Sequence, residues 1–283
     1  MRQLDCATRL QLALSRGDLR LVYQPKVHLP SGTVTGVEAL ARWDDAELGT
    51  VSPAMFIPVA ERFGLIDGLT EWALRTALKQ WAAWRDQGIT LNLSVNVSAL
   101  NLRDLFLPDY IQRLCMHEGM PCHHLTVEVT EGATQSIVRL LDTLTRFRIK
   151  GIHVSLDDFG TGYSSLLQLR QLPYSEIKID QSFVKDARGS REARLIVKAI
   201  IDLAHGMGLV ATAEGVEDLE TLRILRDLGC DDAQGFFISE GLEGVNLVDW
   251  LMHFSLPAED AQAPAEAAAD CRVVPIRRAA ATG

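Results

Sequence analysis

The chain has 283 residues, of which 47% are hydrophobic, so it can bury a large core, and a barrel could hold most of it in one domain. Its net charge of −9 argues against nonspecific binding to DNA, RNA or an anionic membrane. Charged residues interrupt every apolar run that could serve as a secretory leader or a membrane span. We therefore expect a soluble, cytoplasmic chain whose five scattered cysteines stay free thiols.

The first predicted elements are a helix and a hairpin. Residues 5–18 have the leucine spacing of a helix, and we expect 1–18 to be an N-terminal helix or linker. LRLVYQPKV then alternates as a strand, LPSG supplies a turn, and VTGVEALAR follows as a second strand. Because so short a connection permits only antiparallel pairing, these two strands should form a hairpin.

Helices and strands alternate through the rest of the predicted folded region. The predicted helices are 53–63, 67–86, 104–117, 133–149, 191–207, 218–228 and 244–254. The predicted strands between them are LNLSVNVS, LTVEVTE, IHVSLDD, EIKID, LVATAE and AQGFFI. Such alternation is typical of parallel βαβ units. Counting the hairpin, eight strands favour an α/β fold of the TIM-like (β/α)8 barrel type with an antiparallel first strand.

We assign the predicted barrel to residues 19–254. Residues 255–283 are rich in Ala, Pro and acidic residues and contain few large apolar side chains. We expect this segment to be a disordered tail.

Polar residues lie at or near the ends of these strands, and strand ends converge on one face of a barrel. They are Glu38, Asn96, Glu128, Glu131, Asp157, Asp158, Lys178, Asp180, Glu214, Glu217 and Gln234. So many carboxylates require protons or a multivalent cation. Oxygen donors without a His or Cys cluster favour Mg²⁺ or Mn²⁺. The adjacent Asp157 and Asp158 suit two ions roughly 3.5–4 Å apart, an arrangement typical of phosphoryl transfer, so we expect a phosphate ester as substrate.

The same residues lie in motifs that resemble those of the EAL domain, the cyclic di-GMP phosphodiesterase of bacteria. Glu38-Ala39-Leu40 is followed by Arg42, which completes ExLxR. The other motifs follow in order: YQP (23–25), NVS (96–98), EVTE (128–131), DDFGTGYSS (157–165), KID (178–180), AEGVE (213–217) and QGF (234–236). The resemblance runs from about residue 8 to residue 254, and the ordered set is specific where a lone EAL triplet would not be.

The resemblance implies hydrolysis of cyclic di-GMP to linear pGpG with Mg²⁺ or Mn²⁺, and inhibition by Ca²⁺. One ion would be held by Glu38, Asn96, Glu128 and Asp157, and the other by Asp157, Asp158 and Glu214. The implied catalytic group is Lys178, Glu214, Glu131 and Glu217, with Lys178 orienting or deprotonating the attacking water. The implied substrate contacts are Gln24, Glu38, Leu40, Arg42, Asn96, Lys178, Asp180 and Gln234. A homodimer formed near the 157–165 loop is also implied.

Two departures from the family pattern leave these positions intact, so we predict an active enzyme. His28 stands where an acid is common, and Glu240-Gly241 replace a basic residue and a proline. Some residues also have simpler interpretations: Asp157-Asp158 as a helix cap, Lys178 as a counter-ion for Asp180, and Arg42 in a surface ion pair.

Other functions stay open at this point. One is a cyclic di-GMP receptor or protein-binding module without turnover, and another is a phosphodiesterase for a different nucleotide. Because no sensory, receiver or cyclase segment precedes residue 8, we expect either a stand-alone enzyme or a C-terminal domain excised from a longer protein. A sensory or receiver domain, fused or separate, is the expected regulatory partner.

Overall fold

A computed structural model of the chain describes residues 3–130, 137–160 and 166–256. The helices are α1 Gln3–Arg16, α2 Pro53–Arg62, α3 Ile66–Arg85, α4 Leu107–Glu118, α5 Ile137–Ile149, α6 Leu166–Gln171, α7 Gln181–Asp186, α8 Arg191–Gly206, α9 Leu219–Asp227 and α10 Gly244–His253. The strands are β1 Leu19–His28, β2 Thr33–Asp45, β3 Gly49–Val51, β4 Asn92–Asn96, β5 Leu125–Thr130, β6 His153–Phe159, β7 Glu176–Ile179, β8 Val210–Ala213 and β9 Asp232–Ala233.

Eight of these strands close into a barrel. The strands β2, β4, β5, β6, β7, β8 and β9 pair in that order and run parallel. The first strand, β1, closes the ring between β9 and β2 and is antiparallel to both. The short β3 extends only the edge of β2. The predicted TIM-like barrel with an antiparallel first strand is confirmed.

Strand alternation sends apolar side chains outward and polar ones into the barrel. On β5, Leu125, Val127 and Val129 pack in one cluster with α4 and α5 side chains. Because successive side chains of a strand point to opposite faces, Thr126 and Glu128 face the interior. Both are buried there, and Glu128 has no exposed surface. Most TIM barrels fill this space with branched apolar residues, whereas this one places charges in it.

The helices form around the barrel where capping residues and apolar spacing predict them. Ser190 and Asp218 each accept a hydrogen bond from a backbone N–H in the first turn of α8 and α9. Helix α1 packs Cys6 and Leu10 into the same cluster as Trp43. Among the described residues, no helix combines the length and the apolar character that crossing a membrane requires.

The bounds of one predicted strand are wrong. Of AQGFFI, only Ala233 belongs to a strand, and the chain turns after Gln234. A Cβ on Gly235 would lie 2.2 Å from the backbone N and O of Val216, so this segment packs against the loop after β8 instead of extending the sheet. Phe236, whose apolar side chain favoured a strand, is 68% exposed.

Two short helices, α6 and α7, were not predicted from the sequence. The EGATQS segment, 131–136, lies outside the described residues, as do 161–165 and most of the predicted tail, 257–283. The predictions for Glu131 and for the last five residues of the 157–165 loop therefore fall on residues that the structure does not describe. The domain limits at 18 and 254 stay predictions.

Candidate active site

A cavity of about 510 Å³ opens where the parallel strands end, and we call this end of the barrel the mouth. Ten of the predicted site residues line it: Gln24, Glu38, Leu40, Asn96, Asp157, Asp158, Lys178, Glu214, Glu217 and Gln234. They come from strands far apart in the chain, because barrel closure brings the strand ends together. The sequence analysis missed Gln181, Lys185 and Phe236, which also line the cavity. Of these three, only Gln181 directly follows a predicted strand end, that of EIKID.

Lys178 stands at the centre of the acidic residues. Its side chain is 1% exposed, and its Nζ lies within salt-bridge distance of four carboxylates. The distances are 3.3 Å to Glu38 Oε2, 2.8 Å to Glu128 Oε2, 3.0 Å to Asp157 Oδ1 and 2.6 Å to Glu214 Oε1. One ammonium therefore faces four acids, and the simpler interpretation of Lys178 as a counter-ion for Asp180 has no support in these contacts.

Glu128 lies between two lysines. Its Oε2 meets Lys178 Nζ, and its Oε1 lies 3.0 Å from Lys26 Nζ, which is also buried. Burial alone would raise the pKa of Glu128, but Lys178 and Lys26 together hold it well below its usual range. Glu128 is thus the one acid of this group that contacts two buried lysines.

Glu38 is held by amide donors from two directions. Asn96 Nδ2 donates to Glu38 Oε1 at 2.7 Å, and Gln234 Nε2 donates to Glu38 Oε2 at 2.8 Å. The same Gln234 nitrogen lies 2.9 Å from Gln24 Oε1, so residues from β1, β2 and the segment after β9 form one network. These contacts fix the orientation of the Glu38 carboxylate at the mouth.

Asp157 and Asp158 both reach the mouth because the backbone departs from a regular strand between them. Regular alternation would turn Asp158 away from Asp157. Instead Asp158 has φ 55°, in the left-handed region, and the pairing of β6 with β7 shifts register between Leu156 and Phe159. Asp tolerates this region better than most residues, and a register irregularity re-aims side chains. Strained backbone of this kind is concentrated at functional sites.

Crowding of acids raises several pKa values at the mouth. Burial raises the pKa of Glu214 to about 8 against the opposing charge of Lys178, with Asp157 and Glu38 adding to the rise. Burial, together with Glu128, raises the pKa of Glu38 to about 7. The pKa of Asp158 is also raised, first by burial and then by Asp180. For these three carboxyl groups, burial and the neighbouring acids together outweigh the attraction of Lys178.

The donor set fits a divalent cation. Asp157, Asp158 and Glu214 can each place one carboxylate oxygen within 4.8 Å of the other two. Three hard anionic oxygens in so small a space suit a cation such as Mg²⁺ or Mn²⁺, whose charge favours the ionised carboxylates. Glu38, Asn96 and Glu128 lie beside this group and converge with it on Lys178 or on one another. The site could therefore hold metal at the place predicted from the sequence.

Three predicted residues have other contacts. Arg42 donates from Nη1 to the carbonyl of Ala41 at 2.9 Å and lies on the wall of an adjoining cavity of about 180 Å³. Asp180 accepts from the backbone N–H of Ser182 and caps α7. Glu217 is half exposed and pairs with Lys185 at 2.9 Å. Asp180 and Glu217 are thus held by neighbouring protein groups, and Arg42 lines the adjoining cavity and not the mouth.

A further cavity, of about 120 Å³, lies at the opposite end of the barrel, where the parallel strands begin. We call it the closed-end cavity; Lys26, Glu176 and Asp232 line it. Burial, together with Glu176, raises the pKa of Asp232 to about 7, and the carboxylate has a long contact of 3.4 Å with Thr35 Oγ1. The sequence analysis did not identify Lys26, although it follows Gln24 by two residues and so faces the same interior.

Asp232→Asn should remove a pH-dependent loss of stability. Folding raises the pKa of Asp232, so the protonated carboxyl stabilises the folded state. This stabilisation is complete below the pKa that Asp232 has in the unfolded chain, and it is lost as the pH rises through about 7. Relative to wild type, the variant should therefore gain roughly 2 kcal/mol in unfolding free energy between pH 5 and pH 8. Denaturant unfolding of both proteins at the two pH values measures this. A difference that does not change with pH would show that the Asp232 carboxyl titrates normally.

The fold and the mouth together define a TIM-like barrel with an acidic site that can hold a divalent cation. Comparison with known proteins agrees: the EAL domain matches residues 7–241. The chain belongs to the EAL domain family.

Two curated relatives and one solved structure illustrate the similarity. The cyclic di-GMP phosphodiesterase PA2567 of Pseudomonas aeruginosa is 41% identical over 82% of this chain and 40% of its own length. The oxygen sensor protein DosP of Escherichia coli is 38% identical over 86% of this chain and 30% of its own length. The structure of the PaMucR phosphodiesterase in complex with c-di-GMP has a TM-score of 0.81 and 39% identity, covering 86% of this chain and 99% of that one. This chain thus spans less than half the length of the two curated relatives.

Proposed function

We propose that this chain hydrolyses cyclic di-GMP to linear pGpG with the help of two divalent cations. The observation that carries the proposal is the acidic mouth itself. Four carboxylates converge there on the buried ammonium of Lys178, those of Glu38, Glu128, Asp157 and Glu214. The carboxylate of Asp158 lies beside those of Asp157 and Glu214. A phosphodiesterase among the similar proteins and a similar structure in complex with c-di-GMP support the choice of substrate.

Two groups of residues would hold the cations. Asp157, Asp158 and Glu214 would hold one, and Glu38, Asn96, Glu128 and Asp157 the other, with Asp157 shared. Mg²⁺ or Mn²⁺ suits these hard oxygen donors, and Ca²⁺ is expected to inhibit. When bound, two such cations activate a water as nucleophile and stabilise the charge that develops on the phosphate.

Lys178 would orient the reacting groups. Although burial works against it, the surrounding carboxylates raise the pKa of Lys178 well above its ordinary value. An ammonium that keeps its proton donates hydrogen bonds, so Lys178 would hold the attacking water or a phosphate oxygen in place. This supports the orienting role over the proton-accepting role, both of which the resemblance implied.

The shape of the mouth suits a dinucleotide. The mouth and the adjoining 180 Å³ cavity share Leu40, Pro53, Ile57 and Asn96, so one ligand could extend through both. Such a ligand would meet Gln24 and Gln234 in the first and the Arg42 guanidinium in the second, where a phosphate is a suitable partner. Assembly as a homodimer and the supporting role of Glu131 stay predictions.

The proposal is tested by incubating the protein with cyclic di-GMP and Mg²⁺ or Mn²⁺ and separating the products by chromatography. We expect conversion to pGpG, and a panel of other cyclic nucleotides run in parallel should show slower turnover. Tight binding of cyclic di-GMP without any pGpG would favour a receptor instead. Faster cleavage of a different nucleotide would keep the reaction class and replace the substrate.

A further inference from the structure

Lys26 is buried inside the barrel on the antiparallel strand β1, below the mouth. It is 5% exposed and lines the closed-end cavity, whereas Lys178 lines the mouth. Glu128 separates the two lysines, and its carboxylate is divided between them. Lys26 Nζ donates to Glu128 Oε1 at 3.0 Å, and Lys178 Nζ donates to Glu128 Oε2 at 2.8 Å.

Lys26 is itself anchored from below. Its Nζ lies 3.1 Å from Glu176 Oε1, and the same oxygen accepts a hydrogen bond from Thr212 Oγ1 at 2.6 Å. The pairing of β1 with β2 shifts register between Lys26 and Val27, an irregularity of the kind that redirects a side chain. The ammonium of Lys26 is therefore held on both sides, and it does not reach the mouth cavity, where a substrate would bind.

We propose that Lys26 is a positioning residue that presents Glu128 to a metal ion through Oε2 alone. A carboxylate with one oxygen tied to a buried lysine cannot rotate freely or offer both oxygens to the mouth. This inference rests on the proposed function, because it assumes that Glu128 is a metal ligand.

The test is Lys26→Met, with Mn²⁺ affinity measured by paramagnetic resonance of the free ion. Removing a positive charge would by itself tighten the binding of a cation. We expect the opposite, an affinity weaker by about 10–100-fold, because Glu128 loses its fixed orientation. At saturating Mn²⁺ the KM for cyclic di-GMP should stay within about twofold of wild type, since Lys26 does not contact substrate.

Two further variants separate positioning from simple structural support. Glu176→Gln removes the negative charge that anchors Lys26 from below and should weaken Mn²⁺ binding by about three- to tenfold, which keeps the test decisive if Lys26→Met does not fold. Thr126→Val alters the wall of the same cavity and should leave Mn²⁺ affinity within about twofold of wild type even where it lowers stability.

Unchanged or tighter Mn²⁺ binding in Lys26→Met, or in Glu176→Gln where the first variant does not fold, would overturn the role of Lys26 while leaving the proposed function intact. Absence of Mn²⁺ binding to the wild-type protein would overturn both.

Discussion

Replacing Lys178 with methionine is expected to lower kcat for cyclic di-GMP hydrolysis by about 10²–10⁴-fold without weakening Mn²⁺ binding. Lys178 meets four carboxylates but offers no ligand atom to a cation while it carries its proton. Its removal takes away a hydrogen-bond donor at the reacting centre and a positive charge that competes with metal. Steady-state kinetics and a Mn²⁺ titration of the same preparation measure the two effects separately.

The same variant should be unstable without metal. Removing the Lys178 ammonium leaves the buried carboxylates of Glu38, Asp157 and Glu214 without this cationic partner, which should cost on the order of 3 kcal/mol of unfolding free energy. Added Mn²⁺ should restore most of this loss, because it binds only the folded form. Lys198→Met is the matched control, since Lys198 is exposed on α8 and pairs with Asp202 one turn away. An active Lys178→Met protein with weakened Mn²⁺ binding would instead make Lys178 a structural residue.

Glu38→Ala is expected to abolish measurable turnover, and Glu38→Gln should lower kcat/KM by at least about a hundredfold. The carboxylate of Glu38 is 4% exposed and accepts from Asn96, Gln234 and Lys178, so both oxygens already have defined positions. Glutamine keeps the shape of the side chain but removes the charge that a cation requires. Initial rates of pGpG formation at several Mn²⁺ concentrations measure the loss.

Asp44→Ala supplies the control for Glu38, because Asp44 lies on the same strand but faces solvent beside Arg20. Its rate should stay within about twofold of wild type, as surface substitutions usually have small effects. A wild-type rate in Glu38→Gln would exclude Glu38 as a metal ligand and require a different ligand set for that ion.

The architecture was predictable from the sequence because two local signals agree with the global fold. Strands that alternate with amphipathic helices specify parallel pairing, and the short LPSG link specifies one antiparallel pair. The strand at AQGFFI was predicted too long because two adjacent phenylalanines resemble a buried strand, while the close contact of Gly235 with Val216 depends on residues distant in sequence.

The composition of the mouth was predictable, but its geometry was not. Strand-end positions showed that Glu38, Asp157 and Glu214 would meet, since the barrel brings these ends together. The left-handed backbone of Asp158 and the contact of Lys26 with Glu128 depend on register shifts that no sequence pattern specified. Asp180 and Glu217 lie in the same motifs as site residues, but Asp180 caps α7 and Glu217 pairs with Lys185. The motifs alone do not specify these contacts.

The central claim is that carboxylates from separate strands work only with divalent cations bound among them. The most direct test is the rate of pGpG formation by protein freed of metal with a chelator, measured as Mg²⁺ or Mn²⁺ is added back. We predict no turnover in the chelated protein and a rate that rises with added cation to a plateau. Turnover that continues undiminished in excess chelator would contradict the account.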